Sequence, residues 1–280
     1  MKPRLHIGRW IVVAFVCVWS LFPIYWALNT SLMSTPTAQS VPARFLPIPF
    51  TFSSYRQIFS GGGDNAIWPS FSKALANTTL ECAAATLLTV VVAVLGAYAF
   101  ARLKFRFKNA ILFVVIATLS LPAYATLIPL YRMMANWHLV NTYTGIVLVY
   151  VSGFLPLALW ILYNYFSTIP VELDEAAFMD GASPLKTMVH IMLPLSSPGL
   201  ASAAIITFLS AWGQFLFPLV LASNSSTQPF TVFMTSLESR HTIPYPLMNA
   251  VGVLSIVIPA LIVVFLNRFI IRGLIAGSSK

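Results

Sequence analysis

Six apolar stretches divide the chain, at residues 10–28, 75–100, 110–131, 144–166, 198–221 and 249–271. A helix needs about 20 apolar residues, rising about 1.5 Å each, to cross roughly 30 Å of hydrocarbon. The pattern therefore predicts an all-α, polytopic membrane protein with six transmembrane helices. Each stretch is interrupted or flanked by Pro, Gly, Ser or Thr, as in LSLPAYATLIPL and WGQFLFPL. Backbone groups freed at membrane depth are satisfied by neighbouring helices or a water-filled cavity. A lipid anchor has no need of such breaks, so the bundle is expected to enclose something.

The polar intervals set the organisation. A tail at 1–9 precedes a first helix and outer loop at 10–72, then a five-helix core at 73–271 containing a polar loop at 167–195, and a tail at 272–280. Lys2, Arg4 and Arg9 look like the start of a signal peptide, but no small-x-small cleavage site follows, so the first stretch reads as a retained anchor. With the N-terminus inside, that side holds these three bases with Arg102, Lys104, Arg106, Lys108, Lys186, Arg268, Arg272 and Lys280. The other side holds Arg44, Arg56, Lys73, Arg132 and Arg240. Eleven against five places both termini and the 167–195 loop in the cytoplasm. Two long segments then lie outside. The first, 31–73, is rich in Pro, Ser and Gly, with RFLPIPF and GGGD, and the second is 222–248.

Composition narrows the class. Of 280 residues, 58% are apolar and 8% charged, with mean hydropathy +0.84. Soluble domains carry about 25% charge, so lipid must be the solvent. The net charge of +9 comes from short clusters between apolar runs and forms no basic face, so nucleic acid is not the expected partner. Cys17 and Cys82 both fall inside apolar runs, and His6, His138, His190 and His241 are far apart in topology, so no metal site is expected. No Walker A, GxGxxG or GxSxG pattern occurs. The chain is not expected to be an enzyme or to hold a cofactor of its own.

The sequence VELDEAAFMDGAS holds Glu172, Asp174, Glu175 and Asp180, four of seven acids in the chain. Acids suit the positive end of a helix dipole, and Pro170 suits a first helical turn. Gly181 marks a C-terminal stop, Ser183 an N-cap with Pro184 behind it, and Pro194 the end of the second piece. Two short helices meeting at Gly181 are predicted, with Ala176 and Ala177 forming a patch where another protein could approach closely. A solvated connector would need neither the elbow nor acids on the inner face, where bases are favoured.

EAAFMDGASPLKTMVHIMLPL resembles the EAA loop of ABC-importer permeases, in Glu175, Ala176, Ala177, Gly181, Ile191, Leu193 and Pro194. NTYTGIVLVY, FSTIPVELDEAA, AYAFARLKF and RFIIRGLIAGSSK resemble the maltose-type, sugar-importing branch, so the similarity covers about residues 75–280. It implies the type I permease fold in a bacterial inner membrane. It also implies a second homologous permease, two cytoplasmic ATPases carrying ATP and Mg, and an extracytoplasmic substrate-binding protein. Glu175, Ala176, Ala177, Asp180 and Gly181 would couple to the ATPase. The outer loop at 222–248 would reach into the binding protein. SNSSTQ supplies polar, mobile residues there, and Phe230, Val232 and Phe233 could steady its base. One departure concerns the fifth helix, where the family often has WNEF and this chain reads Trp212, Gly213, Gln214, Phe215.

Pathway candidates are Glu81, Tyr124, Trp160, Asn164, Trp212 and Gln214. Glu81 sits within a predicted span, where an acid either faces a cavity or snorkels to the nearby interface. The aromatics, with Tyr163, offer stacking faces for a sugar or form an interfacial belt. The expected function is the permease subunit of an ATP-driven importer for a sugar or oligosaccharide. Import of a phosphorylated polyol, ion-coupled secondary transport and a purely structural subunit remain as alternatives.

Overall fold

The computed structural model describes residues 7–60, 67–237 and 244–277. Lys2, Arg4, His6, GGGD, Arg240, His241 and Lys280 lie outside the described residues. Among the described residues every regular element is helical. The chain forms two compact units, Met1–Lys73 with Phe233–Val257, and Ala74–Val232 with Ile258–Lys280.

In the first unit, α1 (Ile7–Ser31) presents Trp10, Phe15 and Trp19 on an exposed apolar surface suited to lipid or a partner helix. The segment after it is more structured than its composition suggested. It carries α2 (Thr35–Ala38), whose first turn is capped by Ser34, and α3 (Ser53–Ser60), which buries Ser54 and Ile58. Ser31 Oγ donates to the Leu28 carbonyl and lies 2.9 Å from the Tyr55 hydroxyl. The next helix, α4 (Ile67–Arg102), starts well before the predicted residue 75, because Pro69 is tolerated in a first turn.

The second unit is built on α4, α7 and α11. Residues 110–131 do not form one straight span. Instead α5 (Lys108–Ala117) and α6 (Ala123–Asn136) meet at 101° around Leu121 and Pro122. Pro122 disfavours helical geometry at the preceding residue, and Leu121 is extended at ψ 126°. Helix α7 (Tyr143–Ser167) follows, then α8 (Glu172–Met179), α9 (Pro184–Thr187), a π-turn at Met188–Met192, and α10 (Leu193–Leu195). The π-turn answers to Pro194: its ring would clash with the His190 carbonyl four residues back, and the widened ladder relieves this.

The predicted fifth helix, 198–221, is likewise divided, into α11 (Ser197–Trp212) and α12 (Leu216–Leu221). Pro218 cannot donate to the Gln214 carbonyl, so the ladder stops. The Thr231 hydroxyl, on α13 (Phe230–Ser236), takes that carbonyl at 2.7 Å. Helix α14 (Tyr245–Gly277) closes the chain. Among the described residues four helices are long and apolar enough to cross a bilayer, and counting two bent pairs, 108–136 and 184–212, as one span each brings the number to six. The core holds α7 close to its neighbours: a Cβ on Gly199 of α11 would lie 2.6 Å from the Tyr165 ring.

Candidate functional site

At one end of the second unit the acidic elbow has the predicted form. Helix α8 ends in a Schellman motif: Ala182 N–H donates to the Ala177 carbonyl at 2.9 Å and Gly181 N–H to Phe178 at 3.0 Å. Gly181 takes φ +79° to close it. Ser183 then caps α9, its hydroxyl accepting from Lys186 N–H at 3.3 Å. Pro170 stands just ahead of α8 and not within its first turn, which instead holds Glu172, Asp174 and Glu175.

The two alanines part company. Ala176 is exposed with Glu175 and Asp180, but Ala177 is only 7% exposed and faces this chain's own interior. The outward face is instead apolar and rimmed by acids. Leu173, Phe178 and Leu185 are exposed there, and Met179 is 88% exposed.

Asp174 is not part of that rim. It is buried, with Oδ2 2.5 Å from Nε of Arg102 at the last turn of α4. The pair lies outside hydrogen-bond angles and is held by charge. Arg102 Nη2 donates to the Ile169 carbonyl at 2.7 Å and lies 3.8 Å from Met192 Sδ. One guanidinium thus ties α4, the lead-in to α8, α8 itself and the π-turn. Sequence reasoning counted Arg102 only as a topology charge; the signal was that it is the first base of its cluster, placed at the end of a long apolar run.

A cavity of about 540 Å³ opens where α5 and α6 bend beside α7 and the break after α11. Thr118, Thr126, Ser152 and Gln214 supply its polar lining, with Leu121, Met133, Phe154 and Phe217 among the apolar residues. The three hydroxyls each donate to a carbonyl of their own helix, at 2.6 to 2.9 Å. Each hydroxyl oxygen keeps lone pairs able to accept a further hydrogen bond. No Asp, Glu, Lys or Arg is among the described lining residues.

Of the predicted pathway residues, only Gln214 lines this cavity. Tyr124, between lining residues Ala123 and Ala125, is itself 78% exposed. Trp160 stacks on Tyr163 with centroids 5.9 Å apart, and Asn164 Nδ2 donates to the Trp160 carbonyl, all on one stretch of α7. Trp212 is core, packed between Phe208 and Phe230. Glu81 is fully buried, neither carboxylate oxygen has a hydrogen-bond partner among the described residues, and the early start of α4 puts it far from the helix end. It does not snorkel.

At the opposite end of the second unit the SNSSTQ stretch is tied down, against the expectation of a mobile run. Asn77 Nδ2 on α4 donates to the Ser226 and Gln228 carbonyls at 3.1 and 3.0 Å. Tyr143 Oη sits 2.8 Å from Asn77 Oδ1 and 3.0 Å from the Ser226 carbonyl. Thr78 Oγ1 accepts from Phe230 N–H at 2.8 Å. Inside the loop, Asn224 Oδ1 accepts from Ser226 Oγ and from both Thr227 N–H and Thr227 Oγ1. Its own N–H donates to Asn141 Oδ1 at 3.2 Å.

Comparison with known proteins places this geometry in context. The family described as binding-protein-dependent transport system inner membrane component matches residues 89–276. The sulfoquinovosyl glycerol transport system permease protein SmoH of Agrobacterium fabrum is 32% identical over 273 residues, covering 97% of this chain and 93% of that protein. The trehalose/maltose transport system permease protein MalG of Thermococcus litoralis is 32% identical over 281 residues, covering 100% and 98%. A chain of a bacterial ABC transporter involved in the import of the acidic polysaccharide alginate has TM-score 0.77 and 22% identity, over 96% of this chain and 98% of that chain. That likeness shows a shared fold.

Proposed function

Because the chain belongs to the binding-protein-dependent transport inner-membrane components, we propose that it conducts an uncharged sugar or oligosaccharide, driven by ATP hydrolysis on partner subunits. It is a multi-pass membrane permease subunit of the ABC importer class, with no ATPase site of its own. In this reading the elbow end is cytoplasmic, as the positive-inside distribution favours. The surface around Met179 and Phe178 seats in an ATPase groove, and Glu175 and Asp180 rim the contact. The observation that carries the proposal is the Schellman elbow at Gly181, beside which apolar side chains stay exposed with no occupant among the described residues.

A neutral, acceptor-lined cavity suits the many hydroxyl donors of a sugar, and the relatives named for trehalose/maltose transport support that class. A second permease completes the pathway, and an extracytoplasmic receptor meets the 222–228 loop. Reconstitution of the complex tests the reading. Uptake of trehalose or maltose should require ATP and persist when a protonophore collapses the proton gradient at constant ATP. Uptake that follows the proton gradient would instead establish ion-coupled transport, with Glu81 as the buried group on which that alternative rests.

A further inference from the structure

Helix α4 is clamped at both ends of the second unit, and each clamp belongs to a different functional surface. Close to where it enters the second unit, Asn77 and Thr78 hold the 226–230 backbone through three hydrogen bonds. At its last turn, Arg102 holds Asp174 of the acidic helix and the Ile169 carbonyl. About 37 Å of continuous helix separates Asn77 from Arg102. Each of α1, α7 and α14 contains an interior proline, at Pro23, Pro156 and Pro259, and the other two spans are bent pairs. Between Asn77 and Arg102 α4 has no proline. Along its buried face there Ala85, Ala93 and Ala97 are fully enclosed, and the larger Tyr98 and Phe100 are buried near its end. Packed helices shift against one another by small shear motions.

We propose that α4 is the rod by which receptor contact at the 223–228 loop reaches the coupling helix, with Asn77 and Arg102 as its two joints. The inference rests on the reading above, in which the loop meets the receptor and α8 meets the ATPase. Both joint residues act by positioning. Moving the loop draws on Asn77, the proline-free stretch from there to Arg102 transmits the displacement, and the Arg102–Asp174 pair delivers it to α8. By linkage the path runs both ways, so ATPase closure moves the loop.

A double-mutant cycle in the reconstituted complex tests this, reading ATP hydrolysis with and without sugar-loaded receptor. Asn77→Ala and Asp174→Asn should each cut receptor stimulation about fivefold or more, a typical allosteric coupling. The double variant should lose no more than the worse single one, within about twofold. Sites this far apart ordinarily combine additively, so multiplicative loss overturns the rod, as does either single variant keeping wild-type stimulation. A merely structural role would lower complex yield and leave the stimulation ratio per complex unchanged, which also overturns the proposal. Should either variant fail to assemble, Tyr143→Phe and Arg102→Lys form a milder pair judged by the same rule. Met179→Asp reports on the underlying reading. Wild-type ATPase capture by that variant removes the docking surface itself, whereas lost capture with additive losses at the joints removes only the rod.

Discussion

A Cβ added at Gly181 would meet nothing within 4 Å, so any penalty there comes from the backbone alone, at φ +79°. A non-glycine residue held in the left-handed region costs of order 1–3 kcal/mol, most for β-branched side chains and least for Asn. Gly181→Val should therefore abolish uptake while Gly181→Asn retains a substantial part of it, both inserting normally. Equal uptake in the two would show that the left-handed turn is dispensable. The neighbouring alanine behaves differently. Ala177 is buried in this chain, so Ala177→Leu should overpack the interior by about 1–3 kcal/mol and lower the yield of folded permease before any ATPase is added. Glu175→Lys, on the exposed rim, should leave that yield unchanged and uncouple hydrolysis from uptake. Thermal unfolding of the purified permease, beside coupled uptake, separates the two effects.

Among the elements, the breaks matter more than the helices. Pro122 and Pro218 each interrupt a span, and the cavity lies beside both interruptions. The 223–228 loop is an element in its own right, because Asn224 Oδ1 gathers three donors in a loop that carries no regular structure. Each such bond contributes about 0.5–1.5 kcal/mol. Asn224→Ala should speed proteolytic nicking between residues 223 and 228 several-fold in the assembled complex; an unchanged rate means the backbone tethers from Asn77 alone fix the loop. Replacing 223–228 with a Gly/Ser linker of equal length keeps its reach but removes side-chain contacts to the receptor. Receptor-stimulated hydrolysis should fall while complex assembly persists. Unchanged stimulation would make the loop a connector.

For the whole molecule, the question is where the energy for transport enters. Glu81 is fully buried, with neither oxygen partnered among the described residues, the kind of group an ion-coupled carrier uses. If ATP hydrolysis on the partner supplies the work, Glu81→Gln keeps the shape and hydrogen-bonding capacity, and uptake per ATP should stay within about threefold, a shift under 1 kcal/mol. Loss of uptake with hydrolysis intact would place Glu81 in the pathway. The measurement is the ratio of sugar imported to ATP consumed.

The amino-acid sequence by itself determined the all-helical class and where the apolar spans run, because lipid requires long apolar runs and satisfied backbone groups wherever the chain crosses. It determined the elbow as well, since Gly181, Ser183 and Pro184 act on their own backbone within a few residues. Local chemistry of that kind is readable without any neighbour. Tertiary structure decided which side chains share an environment. Asp174 and Ala177 looked like members of an exposed docking loop, yet the helical period turns both inward, onto Arg102 and the core. Trp212 looked like a pathway aromatic until Phe208 and Phe230 closed around it. SNSSTQ read as mobile because polar residues without regular structure usually are, yet Asn77, Tyr143 and Asn141, more than 80 positions away, supply partners that hold it. Pairings across that separation leave no periodic trace in a single sequence. They form only when α4 and α7 have packed, and that packing settles what the residues do.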